Sequence, residues 1–171
     1  MILMIHGGNR DNDMKSTEQD QVSIQVSVHQ MDNARDLPLP EYKTPDSAGL
    51  DLHAAIPADS PLEIRPGSWT LAPTGLKVAI PRGYEGQIRP RSGLAARHGI
   101  GILNSPGTID SDYRGEIRII LFNFSGDPYT IRRGDRIAQI VICKVEQIPW
   151  LPVPELTGTK RGEGGFGHTG R

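Results

Sequence analysis

The chain has 171 residues, 36% of them hydrophobic and 23% charged, with a formal net charge of -1 at pH 7. That is one domain's worth of sequence, long enough to bury a core of its own, and its balanced charge excludes the global basic field that long nucleic acid demands. The single cysteine, Cys143, excludes an intrachain disulfide and suits a reducing compartment.

Met1-Ile2-Leu3-Met4-Ile5 is too short for a signal-peptide core and lacks a basic flank. No apolar stretch reaches the ~20 residues needed to cross a bilayer. The expectation is a cytoplasmic protein with no membrane and no nucleic-acid partner. Residues 1–20 are polar after that short start, bury too little apolar surface to order themselves, and read as a disordered extension. Met14 is an alternative initiator.

From Val22 the apolar residues alternate as Val22, Ile24, Val26 and Val28, the period of a half-buried strand. The same period returns at Leu50-Leu52-Ala54 and at Leu76-Val78-Ile80, and further strands read over 117–122 and 137–142. Turn formers separate these runs at Pro45-Asp46, Pro66-Gly67, Pro81-Arg82-Gly83, Ser105-Pro106-Gly107, Ser125-Gly126-Asp127-Pro128 and Arg133-Gly134-Asp135. One segment reads as helical, Ser92 to His98, with Ser92 as its cap and Gly99 as its stop. Cys143 lies in an apolar run and reads as a buried structural thiol. An all-β jelly roll or sandwich over 21–147 with one short helix follows.

Three Phe, four Tyr and two Trp make a lean aromatic supply for such a core, so burial by oligomerisation is expected. In Ile148-Pro149-Trp150-Leu151-Pro152-Val153-Pro154 the prolines hold the backbone extended. The apolar residues between them need a surface to cover. Residues 148–171 therefore read as an arm and tail that lie along a neighbouring copy, the alternative being an arm folded back on its own subunit.

Five segments carry candidate chemistry. Ala48-Gly49-Leu50-Asp51-Leu52 sets a carboxylate in an apolar strand pattern, as a turn or edge residue or as a metal ligand. Arg89-Pro90-Arg91-Ser92-Gly93 places two arginines on one strand face leading into a helix N-terminus, where an anion is favoured. The segment 104–117 reads as a rigid hairpin closed by Pro106-Gly107, with Asp110 as a candidate base and Tyr113 as a wall for a sugar ring. Turn-forming Asn and Asp also account for that segment without function. Gly134-Asp135-Arg136-Ile137-Ala138-Gln139 enters a strand and presents Gln139 to phosphate. The tail from Arg161 to Gly170 holds five glycines, which either fold their amides around phosphate oxygens or leave the terminus disordered.

Together and in this order these segments resemble the trimeric dUTP diphosphatase (dUTPase) family, whose five motifs match here as AGLDL, RPRSGLA, the 104–117 hairpin, GDRIAQ and RGEGGFGHTG. Family members often carry serine at the position of His168. The resemblance implies a jelly-roll homotrimer whose active sites draw on all three chains. It implies hydrolysis of dUTP to dUMP and pyrophosphate with Mg²⁺, which keeps uracil out of DNA and supplies dUMP for thymidylate synthesis. By motif match, Asp110 is the base for the attacking water and Tyr113 lies under the deoxyribose. Asn104 and the backbone of Gly107, Thr108 and Ile109 read uracil. Arg91, Ser92, Gly93 and Gln139 contact phosphate, and Asp51 holds Mg²⁺ through water. From another subunit Arg161 clamps the γ-phosphate and Phe166 caps the base, with Gly167, His168 and Thr169 beside them. The rival readings are a dCTP deaminase of similar fold, which needs a carboxylate at the cytosine amino group, and a catalytically silent binding module.

Overall fold

The computed structural model describes residues 24–165. In chain order its elements are β1 (Ser27–Gln30), a 3-10 turn (Asp32–Ala34), β2 (Leu50–His53), β3 (Leu62–Ile64), β4 (Trp69–Pro73), β5 (Leu76–Ala79), β6 (Tyr84–Arg89), helix α1 (Ser92–His98), β7 (Ile100–Ile102), β8 (Gly107–Ile109), β9 (Arg118–Asn123), β10 (Tyr129–Ile131) and β11 (Arg136–Lys144). The strands form a four-stranded sheet ordered β2-β11-β6-β8, a three-stranded sheet ordered β4-β9-β7, and the pairs β1-β5 and β3-β10. Every ladder is antiparallel. This is the expected all-β jelly roll with one short helix.

Alternation drives the assembly. In β9 Ile119, Leu121 and Asn123 point inward while Arg118, Ile120 and Phe122 take the other face. The core is aliphatic: Leu52, Ile56, Ile64, Ile100, Ile117, Ile119, Leu121, Ile131 and Ile137 are fully buried, each contributing about 1.5–3 kcal/mol relative to exposure. Asn123 is the polar exception, and all its capacity is used. Its Nδ2 donates to the carbonyls of Ile64 (2.9 Å) and Asp127 (2.8 Å), and its Oδ1 accepts from the amide (2.9 Å) and hydroxyl (2.7 Å) of Ser125. One side chain thus ties the end of β9 to β3 and to the following loop.

Five elements coincide with strands read from the sequence: β1, β2 and β5 with its alternating runs, β9 and β11 with the apolar runs at 117–122 and 137–142. The first ladder begins only at Ser27, although Ile24, Val26 and Val28 all face one apolar cleft. Strands β3, β7, β8 and β10 are three residues each, too short to display a period. Two further expectations are corrected. Ser92 is the first helical residue rather than the cap; the capping position belongs to Arg91, with extended backbone (φ -89°, ψ 127°) and no side-chain capping bond. Gly99 ends the helix as expected, at φ 64°, where its amide bonds Ala95 O. Cys143 is half-buried rather than buried, since β11 turns that position towards Arg89, whose Nη2 lies 3.9 Å from Sγ.

Beyond β11 the proline-rich segment stands clear of its own domain, with Trp150 89% and Leu156 84% exposed. No helix among the described residues is long and apolar enough to cross a membrane.

Candidate active site

The site starts from a register. Gln139 of β11 lies opposite Asp51 of β2 on one side and Arg89 of β6 on the other, so both its neighbours are fixed by sheet pairing. Gly49, two residues before Asp51, makes this possible. A Cβ there would lie 2.3 Å from Gln139 Oε1, so only glycine lets the amide occupy that place. The other end of the amide donates from Nε2 to Pro90 O at 2.9 Å. Pro90 keeps the chain extended past β6, which carries Arg91 over the top of β2. There Arg91 Nε donates to Asp51 Oδ1 at 2.7 Å, and Arg136 Nη1 donates to Asp51 Oδ2 at 3.0 Å. Arg91 Nη1 also reaches Arg136 O at 3.3 Å. The result is a cleft of about 340 Å³ lined by Lys43, Ser47, Ala48, Gly49, Asp51, Arg91, Ser92, Gly93, Arg136 and Gln139.

Its charge favours an anion. Asp51 is buried and both its oxygens are engaged, so one carboxylate faces two guanidinium groups. His53, next on the same strand, is held below its ordinary 6.5 chiefly by burial, with Lys43, Arg136 and Arg91 pushing the same way against Asp51. It therefore stays neutral near pH 7 and adds no cation. Ser92 and Gly93 open α1 and line the cleft, and the first-turn amides of a helix have no intrahelical partner. Arg97 approaches from one turn further along. The space a Cβ on Gly93 would take is 2.9 Å from Arg97 Nη2, so Gly93 leaves room for that guanidinium. A second cavity of about 230 Å³ continues past Arg91 and Arg136 to Arg97, His98 and Tyr129.

Among the described residues no cluster of three or more His, Cys, Asp or Glu is arranged to hold a metal. One carboxylate already shared by two arginines cannot cage a cation alone. It fits Mg²⁺ in the manner that ion prefers, with most ligands from water and phosphate oxygens and one protein carboxylate behind them.

The 104–117 segment is built differently from the expected hairpin. β7 pairs with β9 in the three-stranded sheet, whereas β8 pairs with β6 in the other. The chain crosses between sheets at 103–106 and returns through 110–117, so β7 and β8 are not ladder partners. Asn104 is exposed and folds over Gly107, whose missing Cβ would lie 3.2 Å from Asn104 Nδ2. In the return turn Tyr113 N donates to Asp110 O at 3.1 Å, and Arg114 Nη1 donates to the carbonyls of Ser111 (2.7 Å) and Tyr113 (2.8 Å). Thr108, Ile109, Asp110, Tyr113, Glu116 and Arg118 line a pocket of about 210 Å³.

The structure thus brings Asp51, Arg91, Ser92, Gly93 and Gln139 together in one cleft, and Asn104, Gly107, Thr108, Ile109, Asp110 and Tyr113 on one crossover. The two cavities share no lining residue. Arg89 does not join Arg91: it ends β6 and donates to Gln87 Oε1 from Nε (3.2 Å) and Nη2 (2.6 Å). Arg161 is exposed and closes a local turn, Nε to Gly164 O at 2.8 Å. Phe166, Gly167, His168 and Thr169 lie outside the described residues, as does the 1–20 extension. The sequence reading passed over Arg136, Arg97 and Lys43. Arg97 stands four residues after Gly93, on the same face of α1; Arg136 stands three before Gln139, a spacing that an unbroken strand puts on opposite faces, and it is the register shift between Arg136 and Ala138 that lets both line the cleft.

These features define an all-β jelly-roll protein with an arginine-lined anion cleft at one end of its larger sheet and a polar crossover beside it. The model of the dUTPase family matches residues 35–170, and the chain belongs to that family. The deoxyuridine 5'-triphosphate nucleotidohydrolase of Maricaulis maris (strain MCS10) is 52% identical over 148 residues, covering 86% of this chain and 97% of that protein. The dUTPase of Staphylococcus bacteriophage 80alpha, solved with dUpNHpp, superposes with a TM-score of 0.76 at 25% identity, covering 87% of this chain and all of the other. A variant dUTPase of phage phi11 of S. aureus, in which a structural Mg(II) ion is coordinated, has the same fold, with a TM-score of 0.67 at 24% identity over 77% of this chain and 98% of that one.

Proposed function

We propose that this protein hydrolyses dUTP to dUMP and pyrophosphate. The observation that carries the reading is the cleft in which Asp51 holds Arg91 and Arg136 beside Gln139, in a chain of the dUTPase family. Its surplus positive charge and unpaired helix amides suit a triphosphate. Arg91, Ser92, Gly93 and Gln139 take phosphate oxygens, with Arg136 and Arg97 completing the positive wall. Asp51 would hold Mg²⁺ through water, and the ion would supply neutralisation of triphosphate charge. Asn104 and the backbone of Gly107, Thr108 and Ile109 read the uracil edge.

Asp110 orients the attacking water and takes its proton as the new P–O bond forms at the α-phosphate and the bridge to the β-phosphate breaks. Positioning and charge neutralisation supply most of what such a displacement requires. Tyr113 packs under the sugar. The phosphate cleft and the crossover are separate cavities of one chain, and an apolar arm stands exposed; both features support a homotrimer in which neighbouring copies complete each site. Arg161, Phe166, Gly167, His168 and Thr169 then close the nucleotide in and exclude bulk water. In this role the protein serves the cytoplasmic nucleotide pool, withholding uracil from DNA and supplying dUMP.

Pyrophosphate release from dUTP, dTTP, dCTP and UTP, each with Mg²⁺ and with chelator, tests this. Mg²⁺-dependent cleavage of dUTP alone is expected; cleavage of all four would remove the assigned base and sugar reading, and ammonia release from dCTP would indicate a deaminase instead. Asp110→Asn is expected to keep nucleotide binding and lose most turnover, so wild-type kcat in that variant would sink the role of the base.

A further inference from the structure

We infer that Gly115 and Glu116 set the sugar selectivity of this enzyme by fixing where Tyr113 stands. The inference rests on the proposed role of Tyr113 as the wall under the deoxyribose. Tyr113 is 42% exposed, so packing alone does not hold its ring. What holds it is a backward fold over the next residues. Its hydroxyl donates to Glu116 O at 2.9 Å. The ring lies so close over Gly115 that a Cβ there would be 2.3 Å from Oη, 2.5 Å from Cζ and 2.9 Å from Cε2. No L-side chain fits that space without moving the ring.

The acceptor is itself anchored. Glu116 Oε1 accepts the amide of Gly75 at 2.8 Å, and Ile117 N donates to Leu76 O at 2.8 Å. Thr74 Oγ1 donates to Ile117 O at 2.6 Å, a buried bond made from the connection that leads into β5. Gly75 is in turn confined, with φ +65° and its absent Cβ only 2.3 Å from the Cβ of Ala34. The phenol position is thus inherited from the connection between β4 and β5 rather than from the crossover that carries Tyr113. A wall that excludes one hydroxyl works only if it cannot recede. Discrimination by a single small group is worth roughly 10–200-fold in rate ratio and disappears with a shift of about an ångström. Gly115 and Glu116 are positioning residues in this account.

The test is the ratio of kcat/KM for dUTP to that for UTP, measured with the full chain. Gly115→Ala and Glu116→Ala are expected to lower the ratio by on the order of tenfold or more, mainly by admitting UTP. Glu116→Gln retains an acceptor for the Gly75 amide and is expected to keep the wild-type ratio. A general loss of stability lowers activity on both substrates together and leaves the ratio unchanged. An unchanged ratio in Gly115→Ala and Glu116→Ala would therefore overturn the inference, as would an equal fall in Glu116→Gln and Glu116→Ala. Tyr113→Ala separates this from the parent reading. If that variant keeps the wild-type ratio, Tyr113 is not the sugar wall; if it loses the ratio while Gly115→Ala keeps it, only the positioning role fails.

Discussion

Gly49→Ala is the smallest change that tests how the cleft is assembled. The added methyl would start 2.3 Å from Gln139 Oε1, 3.1 Å from its Cδ and 3.3 Å from its Cβ. Relief to ordinary contact needs a shift of about 1 Å along the whole side chain, because the methyl meets its root as well as its tip. That shift breaks the 2.9 Å bond from Gln139 Nε2 to Pro90 O, the link between β11 and the residue before Arg91. The lost bond contributes about 1 kcal/mol and crowding of a half-buried strand adds about 1–2 kcal/mol. The expected destabilisation is about 2–3 kcal/mol, read as a lower urea midpoint with an unchanged slope. Pyrophosphate release should fall further than stability accounts for, because Gln139 leaves the phosphate cleft. Gly126→Ala is the control: nothing lies within 4 Å of its added Cβ, and both readouts should stay within about 0.5 kcal/mol of the parent. A Gly49→Ala protein with parental urea midpoint and parental kcat/KM would refute the assignment of Gly49 as the space that seats Gln139.

Asp51→Asn removes the charge that holds two arginines and should cost about 2–3 kcal/mol, below the full cost of breaking a buried pair because Arg136 is half exposed. The same variant should lose the gain in dUTP-analogue affinity that Mg²⁺ gives over chelator; an unchanged ratio of the two affinities would show that Asp51 serves only the arginines. Asn123→Ala strands the buried carbonyl of Ile64 and three further partners, and a loss of about 3 kcal/mol is expected in thermal or urea unfolding; a change under about 1 kcal/mol would mean that water replaces the side chain. The Arg133 guanidinium bonded to Asp36 holds that carboxyl below its ordinary 3.8, helped by a backbone hydrogen bond. A lowered carboxyl pKa stabilises the fold above that ordinary value and the contribution fades as pH falls through the folded value. The gap in urea midpoint between parent and Asp36→Asn should accordingly be level above about pH 5 and close below about pH 3.8, and a gap that widened on acidification would contradict the pairing.

The sequence alone was enough for the class of fold and for the chemistry of the parts. Period-two runs such as Leu50-Leu52-Ala54 are dictated by which residues leave water, and that depends on local pattern. The stop at Gly99 was legible because a positive φ at a helix end selects glycine in any context. The motif residues were legible as types suited to phosphate and to a sugar. What the sequence did not determine is which of them meet. Arg136 joined the cleft through its bond to Asp51, a residue 85 positions away, and Arg89 left it for Gln87. The hairpin became a crossover because β7 and β8 found partners in β9 and β6, pairings that no local rule prefers. Nothing in the local sequence marked Gly49 or Gly115, yet each is required by a side chain lying over it. Local physics decides conformation and polarity residue by residue. Contacts across the sheets depend on register and topology, and these are set only when the whole core closes.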